Sequence, residues 1–216
     1  MAAGDITDDM VATIRHRLGD PGGLQWDDSE LLINLNEALR MLADYLKDGA
    51  LFALTEVKEQ ALTTAVNSYA LPTDFLRERR VVYIAVPAVK WDLDRLQALS
   101  SNAHYTPAAT EPYYLLWDAK IELLVGGVVQ GGTDSVDIWY IKQPTTVTTS
   151  VDPEVGRQYR NVLEDMVVEA ALSQGEMPFS EQAQVMHEIA LRQLGQINSH
   201  WGAVPPHGGF ANDPEV

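Results

Sequence analysis

Residues 26–46 read WDDSELLINLNEALRMLADYL, and the phase of this stretch sets the rest of the chain. Leu31, Leu32, Leu35, Ala38, Leu39, Leu42 and Leu46 recur at three- and four-residue intervals, which predicts one apolar stripe along a helix of about 28–47. Asp27 or Asp28 stands where a cap accepts the free amides of the first turn, and Glu30 falls where the helix dipole favours a carboxylate. Asn34, Glu37, Arg40, Asp44 and Lys47 are expected on the opposite, solvated side. Such a helix is built to lie against other elements, and it carries no reacting group.

Upstream, Ile6, Met10, Val11, Ile14 and Leu18 predict a short amphipathic helix over about 5–18, started by Asp5 or Thr7. GDPGG at 19–23 then forces a turn, because neither proline nor this density of glycine continues a helix. From about 55 to 143 the period changes. VKEQALTT, YALP, RVVYIAVP, AVKWDL, YYLLWD, KIELLV and SVDIWYIK are short runs rich in Val, Ile, Tyr and Trp, separated by turn residues including Pro87 and Asp118-Ala119. Their short connections predict hairpins, hence an antiparallel sheet or small barrel. DLDRLQALSS (92–101) is expected as a helical turn between strands.

Helical periodicity returns over about 155–175, with Tyr159, Val162, Leu163, Met166, Val167, Ala170 and Ala171 on one stripe. A second run over 180–201 places Ala183, Met186, Ile189, Ala190, Leu194 and Ile197 together, and the GEMP break predicts an antiparallel pair. Residues 203–216, AVPPHGGFANDPEV, are expected to form an extended tail, since Phe210 is their only large apolar side chain. The expectation is therefore α+β: a single domain over 1–202 in which an N-terminal and a C-terminal helix pair pack together, carrying a strand-rich antiparallel insert, followed by the tail.

Composition narrows the function. The chain has 216 residues, 46% of them hydrophobic, and no cysteine, so disulfides, thiolate metal sites and cysteine nucleophiles are excluded. No apolar run nears the roughly 20 residues that span a bilayer, and the acidic start MAAGDITDD does not resemble a secretory leader. A soluble protein made in the cytoplasm is expected. Thirty-one acidic residues against 15 basic ones give a net charge of -16, and from Asp152 onward ten acids face three bases. Such a surface repels phosphates, which disfavours sequence-specific nucleic-acid binding. Arg77, Arg79 and Arg80 in FLRERR read as a solvated turn or salt-bridge partners rather than a phosphate site.

Catalytic signatures do not assemble. His187 and Glu188 begin like a zinc-binding HExxH helix, but Leu191 stands where the second histidine belongs. GGVVQGG lacks the Lys and Ser/Thr of a phosphate loop, and no GxSxG surrounds a serine. Glu164 and Asp165 could suggest a carboxylate pair, but they are expected on the solvated face of their helix. Tryptophans 26, 91, 117, 139 and 201 read as core or interface anchors before they read as ligand platforms.

Two patterns remain. WDDSELLINLNEALR, through Trp26, Glu30, Leu31, Leu35, Asn36, Glu37, Ala38 and Arg40, resembles the second helix of bacteriophage head-to-tail adaptor proteins. YALPTDFLRERRVVY (69–83), with Tyr69, Leu71, Pro72 and Phe75, resembles that family's strand, proline turn and strand. The later order, a strand ending in WYIKQP, an acidic linker and a helix pair, is also similar to that family and to its podovirus tail-tube relatives.

The resemblance implies a non-enzymatic virion protein, made in the host cytoplasm and lodged in the neck between portal and tail. It implies a homo-oligomeric ring, commonly of twelve copies, lining the channel through which genomic DNA passes. Helices would pack between neighbours, the strand-rich part would face a downstream tail or nozzle protein, and the C-terminal segment would dock into the portal protein. For that docking Pro205, Pro206 and Phe210, with Trp201 at the helix end, are the expected anchors. No cofactor, metal or membrane partner is implied. The residues agree on two counts: an acidic wall lets DNA slide past, and fourteen extended residues reach about 45 Å at about 3.3 Å each. A tail-tube or neck ring component is the alternative, and a tail-associated carbohydrate-binding or hydrolase module is a more distant one.

Overall fold

The computed structural model describes residues 5–91, 111–125, 129, 134–174 and 180–202. The fold is α+β, with the helices at both ends of the sequence and the strands between. The chain divides into two compact units, Met1–Leu54 with Gln143–Val216, and Thr55–Lys142.

The first unit contains α1 (Asp5–Arg17), α2 (Asp28–Tyr45), a short 3-10 segment (Asp48–Leu54), α3 (Arg160–Ser173) and α4 (Ser180–Gly202). The start of α2 is a full capping box: Asp27 Oδ1 accepts the Glu30 amide at 2.9 Å, and Glu30 Oε2 accepts the Asp27 amide at 3.4 Å. The Ser29 hydroxyl and the Glu30 amide hold the Asp27 carboxyl below its usual range. At the other end Asn198 of α4 accepts the Lys47 amide at 3.0 Å and donates to the Tyr45 carbonyl at 2.8 Å, which closes the last turn. In between, Leu31, Leu35, Ala38, Leu39 and Leu42 are buried, as the period requires.

The cap of α1 comes from far away in sequence. Asp152 Oδ1 accepts the amides of Ile6 at 3.1 Å and Thr7 at 3.0 Å, while Thr7, expected as a cap itself, is fully buried against Asp152 and Val151. The turn from α1 to α2 is organised by Asp20, whose two oxygens accept the amides of Leu24, Gln25 and Trp26 at 2.8, 2.9 and 3.0 Å. These amides lower the Asp20 pKa, the Trp26 bond most. Glycine is required at Gly23, where φ is +64° and a Cβ would fall 2.4 Å from the Arg15 guanidinium.

Helix α3 is the centre of this unit, with nine of its fourteen residues buried. Asn34 pairs with Gln174 while Met41 and Met166 line one groove, so α2 runs antiparallel to α3. Glu169 meets His187 and Asp165 meets Gln193, so α4 does too. The phase of α4 differs from the expected stripe: Ala183, Ala190 and Leu194 are buried, but Ile189 is 39% exposed, because the buried line runs through the small side chains that let the two helices approach. Tyr159 is buried with its hydroxyl donating to the Ala50 carbonyl at 2.8 Å.

The second unit holds two four-stranded sheets, ordered β1-β8-β3-β4 and β2-β7-β6-β5. The strands are β1 (Thr55–Ala61), β2 (Ser68–Ala70), β3 (Phe75–Tyr83), β4 (Val86–Pro87), β5 (Val89–Lys90), β6 (Tyr113–Trp117), β7 (Lys120–Leu124) and β8 (Ser135–Lys142). Pairing is antiparallel except between β5 and β6, which are parallel, a departure from the all-antiparallel expectation. Val81, Tyr83, Val136 and Ile138 of one sheet and Tyr69, Tyr114, Ile121 and Leu123 of the other share one buried cluster, so the sheets pack face to face. RVVYIAVP is not one strand. It folds back at Ile84 and Ala85, both at positive φ, as a two-residue hairpin demands, and Pro87 lies in β4 rather than in a turn. Asp118 and Ala119 make the second such hairpin, as read from the sequence.

Burial leaves a measurable mark on this unit. It raises the Tyr114 hydroxyl to about 12, and burial with the Asp74 hydrogen bond raises Tyr140 likewise to about 12. In an unfolded chain both ionise near 10. The stability they contribute is therefore complete below about pH 10 and is lost as pH rises through about 12. Alkaline titration followed by tyrosinate absorbance should show Tyr114 and Tyr140, with Tyr83, which burial also raises, ionising together with loss of the strand signal in circular dichroism. Tyr140→Phe should remove one of them and move that loss to higher pH.

Candidate functional site

The most concentrated charge in the described structure lies inside the helical unit. Glu164 and Asp165, expected on a solvated face, are 2% and 6% exposed. The reason is geometric: α3 is covered by α1, α2 and α4, so it has hardly any solvated face. Arg17 of α1 bridges the two carboxylates, meeting Glu164 Oε2 at 3.1 Å and Asp165 Oδ1 more closely still. Arg160 holds the other Glu164 oxygen at 2.7 Å and reaches Asp9 at 3.7 Å, while Gln193 of α4 donates to Asp165 Oδ2 at 3.0 Å. With each oxygen of Glu164 and Asp165 engaged by a cation or amide, the cluster cross-links three helices.

The residues of the adaptor-like pattern divide by what the fold makes of them. Trp26, Leu31, Leu35 and Ala38 are core, and Glu30 completes the capping box. Asn36 clamps α2 to the segment before α3: its Oδ1 accepts the Val147 amide at 2.7 Å and its Nδ2 donates to the Val147 carbonyl at 3.0 Å. Tyr69 accepts the Thr63 amide at 2.9 Å and donates to the Val66 carbonyl at 2.8 Å, fixing the turn before β2. Leu71 and Phe75 pack on the sheet core, Phe75 stacking on Tyr140 at 5.7 Å between ring centres, and Pro72 is half-buried. Asn34, expected in water, is buried and accepts from Gln174 at 3.3 Å. Glu37 and Arg40 are exposed, and among the described residues neither has an ion-pair or hydrogen-bond partner.

Two helix faces present apolar side chains to solvent. Ile33 at 64% exposure and Met41 share a face of α2, and Val185 at 56% and Ile189 share a face of α4. Isolated exposed apolar residues carry no meaning, but rows along one helix mark contact surfaces. The α2 row was legible as Ile33 and Met41 interrupting a polar face, a signal that the polar tally of that face passes over. Beside α4 a groove of about 620 Å³ is lined by Arg17, Val168, Leu172, Gln182, Val185 and Met186.

In the strand-rich unit Arg77, Arg79 and Arg80 lie along β3 rather than in a turn. Register shifts between Phe75 and Arg77 and between Glu78 and Arg80 bulge the strand and expose Arg79 and Arg80. Arg79 donates to Thr55 at 2.8 Å, and Arg80 lies across from Trp139, which is 42% exposed between it and Val57 of β1. Trp117, beside its hairpin, is 58% exposed, whereas Trp26 and Trp91 are buried.

His187 Nδ1 lies 2.7 Å from Glu169 Oε1 on the surface between α3 and α4. Among the described residues no group of three or more His, Asp or Glu has a metal-holding arrangement, and no helix is long and apolar enough to cross a membrane. Trp201 falls in the last turn of α4; its side chain, together with Pro205, Pro206 and Phe210, lies outside the described residues, as do 92–101 and most of GGVVQGG.

No curated protein matches the chain. A family model does: that of the SU10 adaptor protein aligns with residues 7–205, spanning both helix pairs and the strand-rich insert. A match over nearly the whole sequence leads to one assignment. The chain belongs to the SU10 adaptor protein family, a family of phage head-to-tail adaptors.

Proposed function

We propose that the protein assembles as a homo-oligomeric ring, of twelve copies by family resemblance, beneath the portal in the virion neck. There it lines the DNA exit channel and seats a downstream tail or nozzle protein, with no catalytic step. The family match over residues 7–205 carries this reading. It is supported by the exposed apolar rows on α2 and α4, which a subunit buries on assembly, and by a net charge of -16, which keeps a passing duplex from adhering. Residues 203–216, anchored by Pro205, Pro206 and Phe210 beside Trp201, are the portal-docking segment in this reading.

The test is electron microscopy of portal mixed with the full chain and with a chain ending at Gly202. The full chain should add one ring of density below the portal, and the shortened chain should lose most of it. Particles in which the protein is absent from the neck would overturn the assignment, and undiminished binding by the shortened chain would overturn the role of the tail.

A further inference from the structure

Four exposed charges stand beside the exposed apolar side chains of α2 and α4. Glu37 and Arg40 on α2 and Glu188 and Arg192 on α4 are all exposed, and among the described residues none has an ion-pair or hydrogen-bond partner. Even Glu188 and Arg192, a turn apart on the same helix, do not pair. Each set is embedded in one of the apolar rows. On α2, Ile33, Glu37, Arg40 and Met41 follow the i, i+4, i+7, i+8 spacing of a single face; on α4, Val185, Glu188, Ile189 and Arg192 follow i, i+3, i+4, i+7. Both faces lie outside the buried lines Leu31–Leu35–Leu42 and Ala183–Ala190–Leu194, at the rims of the grooves each helix forms with α3, which Glu37 and Met41 line on one side and Val185 and Glu188 on the other.

The order of charge along the two faces is complementary in one direction only. Laid antiparallel, Glu37 meets Arg192, Arg40 meets Glu188, and Met41 comes against Ile189. The separations agree, because three residues along α2 and four along α4 rise about 4.5 and 6 Å, a mismatch within the swing of these side chains. Laid parallel, arginine meets arginine and glutamate meets glutamate, which charge repulsion disfavours.

We propose that the α2 face of one copy packs antiparallel on the α4 face of the next, with Glu37–Arg192 and Arg40–Glu188 as the intersubunit pairs. The occupant of each face is thus a second copy of this chain. The inference rests on the ring reading above, and ring closure favours it: a head-to-tail contact between two different faces propagates around a circle, whereas a face that meets itself ends in a two-fold dimer. The Met41–Ile189 contact adds apolar attraction, and the charges set direction and register.

The full-length protein is mixed with portal and rings are counted by electron microscopy for wild type, Glu37→Arg, Arg192→Glu and the double swap. Thermal melting checks that each variant is folded, which these exposed positions should leave unchanged. Each single variant should reduce ring occupancy at least tenfold, and the double swap should restore it to within about threefold of wild type. Wild-type rings with single variants that assemble normally, or a double swap no better than the singles, would overturn the pairing and leave the ring reading intact. Rescue of Glu37→Arg by Arg40→Glu instead would replace it with a two-fold α2 contact. Failure of the wild type to form rings on portal would remove the ring reading, and the pairing with it.

Discussion

Arg17→Ala should destabilise the helical unit by about 3–5 kcal/mol, the usual cost of removing one partner from a buried ion pair. Arg17 itself is 35% exposed and its own solvation contributes little to that cost; the two carboxylates it leaves behind are only 2% and 8% exposed at their side chains. They fare differently. Glu164 keeps Arg160 at 2.7 Å, whereas Asp165 keeps only the Gln193 amide at 3.0 Å. Asp165→Ala should therefore cost clearly less than Arg17→Ala, because Arg17 retains Glu164 and water. Replacing all three residues with apolar side chains, Arg17→Met with Glu164→Leu and Asp165→Leu, should cost less than Arg17→Ala alone, since no uncompensated charge remains. Urea unfolding of the four proteins gives the ranking. A loss under 1 kcal/mol for Arg17→Ala would mean that water reaches Asp165 freely.

This cluster also shows where sequence reading stops. Local devices were plain: Asp27 and Glu30 cap α2 because a capping box involves residues three apart, and the α2 core line follows from its period. Asp152 as the cap of α1 had no local sign, since its partners lie 145 and 146 residues away. Treating α3 as amphipathic put Glu164 and Asp165 in water, yet Val162, Leu163, Met166, Val167, Val168, Ala171 and Leu172 wrap most of the helix, and a helix apolar nearly all round is a buried one. The hairpin at Ile84 and Ala85 was hidden because Ile is a strand former that rarely takes positive φ. The surfaces on α2 and α4 were half legible. Periodicity separates an inner from an outer face, but only the packed structure shows that Glu37, Arg40, Glu188 and Arg192 find no ion-pair or hydrogen-bond partner among the described residues.

Asn36→Ala should cost the helical unit about 3 kcal/mol, a loss out of proportion to the single carboxamide group removed. The Asn36 amide acts as a short piece of strand: it accepts from the Val147 amide at 2.7 Å and donates to the Val147 carbonyl at 3.0 Å, with the Leu32 carbonyl at 2.8 Å on the same nitrogen. Val147 is 2% exposed, so truncation orphans an amide and a carbonyl that water does not reach, each worth about 1–3 kcal/mol unsatisfied. Asn36→Asp separates hydrogen bonding from shape. It keeps the acceptor for the Val147 amide but sets a carboxylate against two carbonyl oxygens, so it should be worse than alanine at neutral pH and gain relative to it as the solution is acidified. Asn36→Leu fills the space and satisfies neither group, so it should fall close to alanine. Denaturant midpoints at pH 7 and pH 4 decide the matter: an aspartate variant as stable as wild type at pH 7 would show that the donated bonds contribute nothing, and that α2 is fixed to the segment before α3 by its leucines alone.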